Sequence, residues 1–319
     1  MTRKLYVSIV LVLSLGLLAT SLSLAQEKLT FGNTVRENPL YNLPVLAGQH
    51  FGFFKEQGLE VKWAPFKGGS AMHRALAAGA VQVAITTAPS IIRSVSRGLP
   101  EIIVADLKSG QGFYFWVRSD SRLKKPKDLK GARIGVTRLG GTAHAYAQLL
   151  IRAVGLEKNV TYVGAGGVKE AVGGLRAGTL DAIVQSDFST APVKAKGYVR
   201  ELLNIWDYTP KEWLQLVLIA HTDMPKQKPK SVKGVVTAIF KAGQAIIKEK
   251  EWTLATMEST FGYSKNLART MYPKLRYGSE GKINVAGLRN VRQFLIDFKL
   301  VKKGKVPPLK SLYTNRFVQ

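Results

Sequence analysis

The chain has 319 residues, 46% of them hydrophobic and 21% charged, and 0 cysteines. Such a composition belongs to a globular protein with a core and excludes disulfide scaffolds, cysteine metal sites and thiol catalysis. The formal net charge is +26, or +24 without Arg3 and Lys4, which suits an anionic partner: nucleic acid, a membrane surface or an acidic ligand.

The N-terminus predicts export. Arg3 and Lys4 precede an apolar run over 5–19, and the small residues Ser23 and Ala25 suit cleavage before Gln26. The run is shorter than the ~20 residues that span a bilayer. A soluble periplasmic protein, cleaved near Ala25, is expected.

Strand and helix signals then alternate. Val61-Lys62-Trp63 reads as a strand, Gly68-Gly69-Ser70 opens a helix over 71–78, Gly79 closes it, and 81–85 is a buried strand. The same order returns 99 positions later, with Val160 and Tyr162, Gly167, Leu175, Gly178 and Leu180 in the matching places. Strands at 29–33 and 133–137 precede the two copies, each followed by a helical stretch, 44–56 and 142–153. This alternation predicts an α/β protein of two lobes, each with a parallel-rich sheet flanked by helices. Extended segments at 113–117 and 214–220 predict a two-strand hinge. The expected division is 26–117 with 218–319 for lobe 1 and 118–217 for an inserted lobe 2. Helices expected at 232–248, 253–261 and 285–298 would pack back on lobe 1.

Four blocks carry a resemblance. Pro44-Val45-Leu46-Ala47 leads into Gly52-Phe53-Phe54-Lys55-Glu56-Gln57-Gly58-Leu59-Glu60-Val61; Ala75-Leu76-Ala77-Ala78-Gly79 follows; Asp128-Leu129-Lys130-Gly131-Ala132-Arg133-Ile134-Gly135-Val136 and 175–181 complete the order. In this order they resemble the periplasmic substrate-binding proteins of ABC importers in the nitrate, sulfonate, taurine and bicarbonate group, with its thiamine-pyrimidine-precursor relatives. The resemblance implies a bilobed, type II-like periplasmic-binding-protein fold, no cofactor and no catalysis. It also implies a monomer that passes a small ligand to a permease and its ATPase. Gln82 departs from the aspartate usual in that family, which Asp181 keeps in the second copy; a scaffold role, with no functional loss, is expected there. An enzyme on the same frame, of the pyrimidine-synthesising or menaquinone-pathway kind, is the alternative.

Ligands of open α/β sheets sit beyond the carboxyl ends of the strands. That rule selects Asn33, Thr34 and Arg36, then Gly69 and Ser70, then Thr86 and Thr87. From the second lobe it selects Thr137, Gly141 and Thr142, then Gln185 and Asp187. Ser70 and Thr142 stand where helices begin, so backbone N–H groups and the helix dipole would favour an anion. Sulfonate, nitrate and carboxylate all fit such donors. His50, His73, His144 and His221 lack metal-ligand spacing, so surface or structural roles are expected. Ser121-Arg122-Leu123-Lys124 matches a Ser-x-x-Lys pattern inside a basic loop without supporting motifs. Lysine-rich stretches at 124–130, 226–233 and 302–305 lack interleaved aromatics, which argues against a nucleic-acid groove.

Overall fold

The computed structural model describes residues 26–66, 68–107, 112–278 and 280–318; the expected export signal lies outside them. The strands run β1 (Glu27–Asn33), β2 (Leu59–Pro65), β3 (Val83–Thr87), β4 (Glu101–Asp106), β5 (Phe113–Arg118), β6 (Arg133–Val136), β7 (Thr161–Gly164), β8 (Ala182–Ser186), β9 (Val199–Asn204) and β10 (Leu216–His221). The helices of the first half are α1 (Pro39–His50), α2 (Gly69–Ala77), α3 (Ala88–Val95), α4 (Thr142–Ala153), α5 (Val168–Arg176) and α6 (Asp187–Ala195). After them come α7 (Met224–Gln227), α8 (Pro229–Lys248), α9 (Lys250–Phe261), α10 (Lys265–Met271) and α11 (Val285–Asp297).

Two five-stranded mixed sheets form, ordered β2-β1-β3-β10-β4 and β7-β6-β8-β5-β9. Each has parallel ladders at one side and one strand, β10 or β5, running antiparallel to both neighbours. Every residue of β3 and of β8 is buried. Helices cover both faces of these strands, which explains apolar runs in place of alternation. The repeat seen in the sequence is a repeat of structure: α2 and α5, β3 and β8, and α3 and α6 each begin 99 positions apart. Thr87 and Ser186, also 99 apart, both cap the helix that follows by accepting the N–H three residues on. At the departure from the family pattern, the Gln82 Oε1 accepts the Thr30 N–H at 2.7 Å. Asp181 Oδ2 accepts the Arg133 N–H at 2.8 Å in the other lobe. Both side chains tie the start of one strand to the next, so glutamine keeps the scaffold role.

The chain crosses between the sheets twice, after β4 and before β10. The sequence division at 117/118 would leave β5 in the first lobe. Its hydrogen bonds to β8 and β9 put it wholly in the second sheet, and β10, cut by the 217/218 boundary, pairs wholly in the first. An aromatic extended run has no mark of which sheet it joins; that is set by partners far along the chain. The C-terminal helices pack on the first lobe as expected, and α11 also touches the second. There Arg152 donates to the Asp297 carbonyl at 2.9 Å and lies over the Phe298 ring. One apolar cluster consequently runs through both lobes, from Met72, Leu76 and Ile91 through Phe113 and Tyr146 to Leu288 and Val291.

Candidate functional site

A cleft of about 360 Å³ lies between the carboxyl edges of the two sheets. Helix starts from both lobes border it, among them those of α2, α3 and α4. α3 is capped by the Thr87 hydroxyl, whereas α2 and α4 start after Gly68 and Gly141 with no capping side chain. Their first N–H groups are therefore left to solvent or ligand, at the positive end of each helix dipole. The lobes touch here: Thr87 Oγ1 lies 3.0 Å from Thr142 Oγ1, and the Asn38 amide donates to Ser186 Oγ at 3.0 Å.

Among the described residues, four arginines, Arg74, Arg93, Arg97 and Arg138, line the cleft against one acid, the exposed Glu37. Arg93 is only 7% exposed, and its Nη1 is buried without a hydrogen-bond partner. Burial, with repulsion from Arg97, pulls its guanidinium down to about 10. Burial and Arg74 lower Arg138 in the same way. The Thr86 hydroxyl, fully buried in the same wall, also lacks a partner. A buried cation and a buried hydroxyl without partners are costly unless something else meets them.

Behind this wall His73 is buried between two partners. Its Nδ1 sits 2.8 and 2.9 Å from the two oxygens of the buried Glu101, and its Nε2 sits 2.8 Å from Ser90 Oγ. The chain anchors α2 to β4 and holds the Ser90 hydroxyl at the cleft. His144 on α4 accepts the Gly140 N–H through Nδ1 at 2.8 Å, and burial, reinforced by Arg93, lowers its pKa. His73 thus ties α2 to β4 while also lining the cleft, and His144 holds the turn at Gly140.

Of the residues selected from the sequence, Thr34, Gly69, Ser70, Thr86 and Thr87 line the cleft from the first lobe. Thr137, Gly141, Thr142 and Gln185 do so from the second, and the Gln185 amide donates to Thr137 Oγ1 at 3.3 Å. Three stand elsewhere. Asn33 points inward, donating to the Tyr41 carbonyl at 2.7 Å and to Asn42 at 2.9 Å, and so shapes the loop after β1. Arg36 is exposed outside the cleft. Asp187 faces a separate groove with Tyr114, Trp116, Lys194, Glu201 and Lys274. Its carboxyl accepts the Phe188 N–H at 2.8 Å and lies 3.9 Å from Lys274 Nζ, and burial pushes its pKa up to about 6. Tyr114 and Trp116 on β5 also face that groove. Sequence reasoning missed the four arginines, Asn38 and Ser90, whereas Ser186 follows directly on the selected Gln185. Only Ser90 had a signal, as a hydroxyl in the first turn of a helix after a selected strand.

The fold has known counterparts. The alkanesulfonate-binding protein SsuA of Xanthomonas axonopodis superposes with a TM-score of 0.76 at 15% identity, over 89% of this chain and 96% of that one. SsuA of Escherichia coli gives 0.74 at 18% identity, over 90% and 92%. The nitrate-binding protein NrtA of Synechocystis gives 0.73 at 13%, over 91% and 86%. The fold is that of the periplasmic binding proteins. Residues 40–251, more than half of the chain, match the NMT1/THI5-like family model, and the chain belongs to that family. A Haemophilus influenzae protein whose name assigns it to thiamine biosynthesis is 28% identical over 142 residues. That match covers 44% of this chain and 45% of the relative, so the chain spans about half the length of the curated relative it matches.

Proposed function

We propose that this protein is the solute-binding component of an ABC importer, exported by its first 25 residues and cleaved near Ala25. It captures a small anion between its lobes and delivers it, as a monomer and without chemical conversion, to an inner-membrane permease with its ATPase. Lobe 1 comprises β1 to β4 and everything from β10 onward; lobe 2 comprises β5 to β9. The observation that carries the reading is Arg93, buried in the cleft wall with an unpartnered guanidinium nitrogen. Uncapped starts of α2 and α4 on facing lobes, with Ser70 and Thr142 beside them, support an anion held from both sides. The binding proteins for sulfonate and nitrate that share the fold agree with it.

Thermal-shift and calorimetric titration with small sulfonates, nitrate and carboxylates tests the reading. A ligand selective for the native state raises the melting temperature in proportion to RT ln(1 + [L]/Kd), and at least one anion is expected to do so. Tight binding of a neutral compound that no anion displaces, or steady conversion of a bound ligand by purified protein, would overturn it.

A further inference from the structure

We infer that the cleft is built for a small anion carrying at least two negative charges, held at two poles by arginines that the lobes exchange. This rests on the anion-binding reading above and narrows it. Arg93 belongs to α3 of the first lobe, yet its guanidinium lies against the Gly140 turn of the second. A Cβ at Gly140 would come within 2.7 Å of Arg93 Nη2 and 3.9 Å of Arg97 Nη2. Arg138 follows β6 in the second lobe and reaches the other way, filling the space beside Gly68 so that a Cβ there would collide with it. Each of these turns leads into a helix without a capping side chain, α4 in one case and α2 in the other. Each pole thus joins a guanidinium fork to free helix N–H groups, a combination suited to carboxylate or phosphoryl oxygens.

Neither Arg93 nor Arg138 makes an ion pair with a described residue. A second cation stands beside each, Arg97 near Arg93 and Arg74 near Arg138. The buried acid closest in the chain of contacts, Glu101, gives both oxygens to His73. A singly charged ligand neutralises one pole and leaves the other guanidinium enclosed without a counter-charge, an expensive arrangement in a closed cleft. A doubly charged ligand meets both. Phosphate monoesters and short dicarboxylates share that chemistry.

Calorimetry of the purified protein at neutral pH with methyl phosphate, succinate, methanesulfonate and acetate tests the inference. At least one of the first two should bind about tenfold or more tighter than either of the last two, and whichever it is identifies the source of the second charge. Arg138→Gln, at a half-buried position that tolerates the change, should reduce this preference to about twofold while leaving the monoanions nearly unaffected; Arg138→Lys should restore part of it. Arg93→Gln provides an independent second variant with the same expected loss. Equal affinity for single and double charges, or a preference that survives both glutamine variants, would overturn this inference and leave the anion-binding reading standing. Tight binding confined to neutral compounds would remove both.

Discussion

Arg93 illustrates how a binding residue is costly to the protein that carries it. With the lobes in contact its charge is buried and its Nη1 unpaired, so substitution by an apolar chain of similar length removes an uncompensated penalty. Arg93→Met is therefore expected to raise the melting temperature of the empty protein, by about 2–4 °C for each kcal/mol relieved, while weakening anion binding. Thermal denaturation with and without ligand checks both signs together; a variant that is less stable and binds as well would make Arg93 a packing residue. Asp187 gives a second residue-scale prediction. A carboxyl raised from 3.8 to about 6 favours the folded state only while protonated, so its contribution falls as pH rises between those values. Asp187→Asn should thus leave stability near pH 4 almost unchanged and gain about 1–3 kcal/mol above pH 6. Urea titrations across that window would show the gap open, and a constant gap would contradict it. These two residues also mark where the sequence was hard to read. Among 47 lysines and arginines nothing singles out Arg93, because its burial is made by the facing lobe. Asp187 follows the selected strand, but side chains at a helix start fan out by about 100° per residue. Ser186 and Ser189 therefore face the cleft while Asp187 turns to the opposite groove.

At the scale of elements, the helix starts are what the cleft is made from. Thr142 and Ser70 open α4 and α2 on facing lobes. Thr142→Ala should weaken ligand binding by ~1–2 kcal/mol, roughly five- to thirtyfold, and Ser70→Ala by a similar amount. Calorimetric affinities for the two variants decide this, and an unchanged constant for either removes that hydroxyl from the site. Gly140 makes a sharper test of the turn itself, since its φ is +76° and a Cβ would press on Arg93. Gly140→Ala should cost about 1–2 kcal/mol of stability through backbone strain and also lower anion affinity, which equilibrium unfolding and titration would separate. Elements of this kind were legible because local chemistry writes them. Gly79 and Gly178 follow α2 and α5 with φ of +75° and +68°, the left-handed turn that ends helices, and the two copies repeat with them. Strand partnership was not legible for β5, whose neighbours are fixed only by contacts from about 70 and 85 residues further on.

For the whole molecule, the lobes are joined by two crossings and meet across the cleft through Thr87–Thr142, Asn38–Ser186 and the Tyr263 hydroxyl bonded to the Phe188 carbonyl. A ligand favours this closed arrangement only by its differential affinity for it. Four arginines confronting one another should keep the empty cleft wider. Small-angle scattering is expected to show compaction on addition of a bound anion, reduced in Thr142→Ala and in Arg138→Gln. Scattering that is the same with and without ligand would refute hinge closure. The bending is not expected within the strands near Val117 and Leu216, which are locked in their sheets, but in the stretch between β9 and β10.

The position of β10 has a bearing on how the polypeptide comes to be folded at all. It lies between β3 and β4, which do not pair with each other, so the first sheet keeps a gap at its middle until residues 216–221 have been made. The second sheet, in contrast, is complete within one stretch ending at Asn204. A growing chain can therefore finish the inserted lobe while the outer lobe, though begun earlier, still exposes two unpaired strand edges. Pulse-labelled amide exchange during refolding should protect β6 and β8 before β3 and β4. Under the export proposed above, a first lobe that cannot close early would keep the chain loose long enough to be threaded through a membrane.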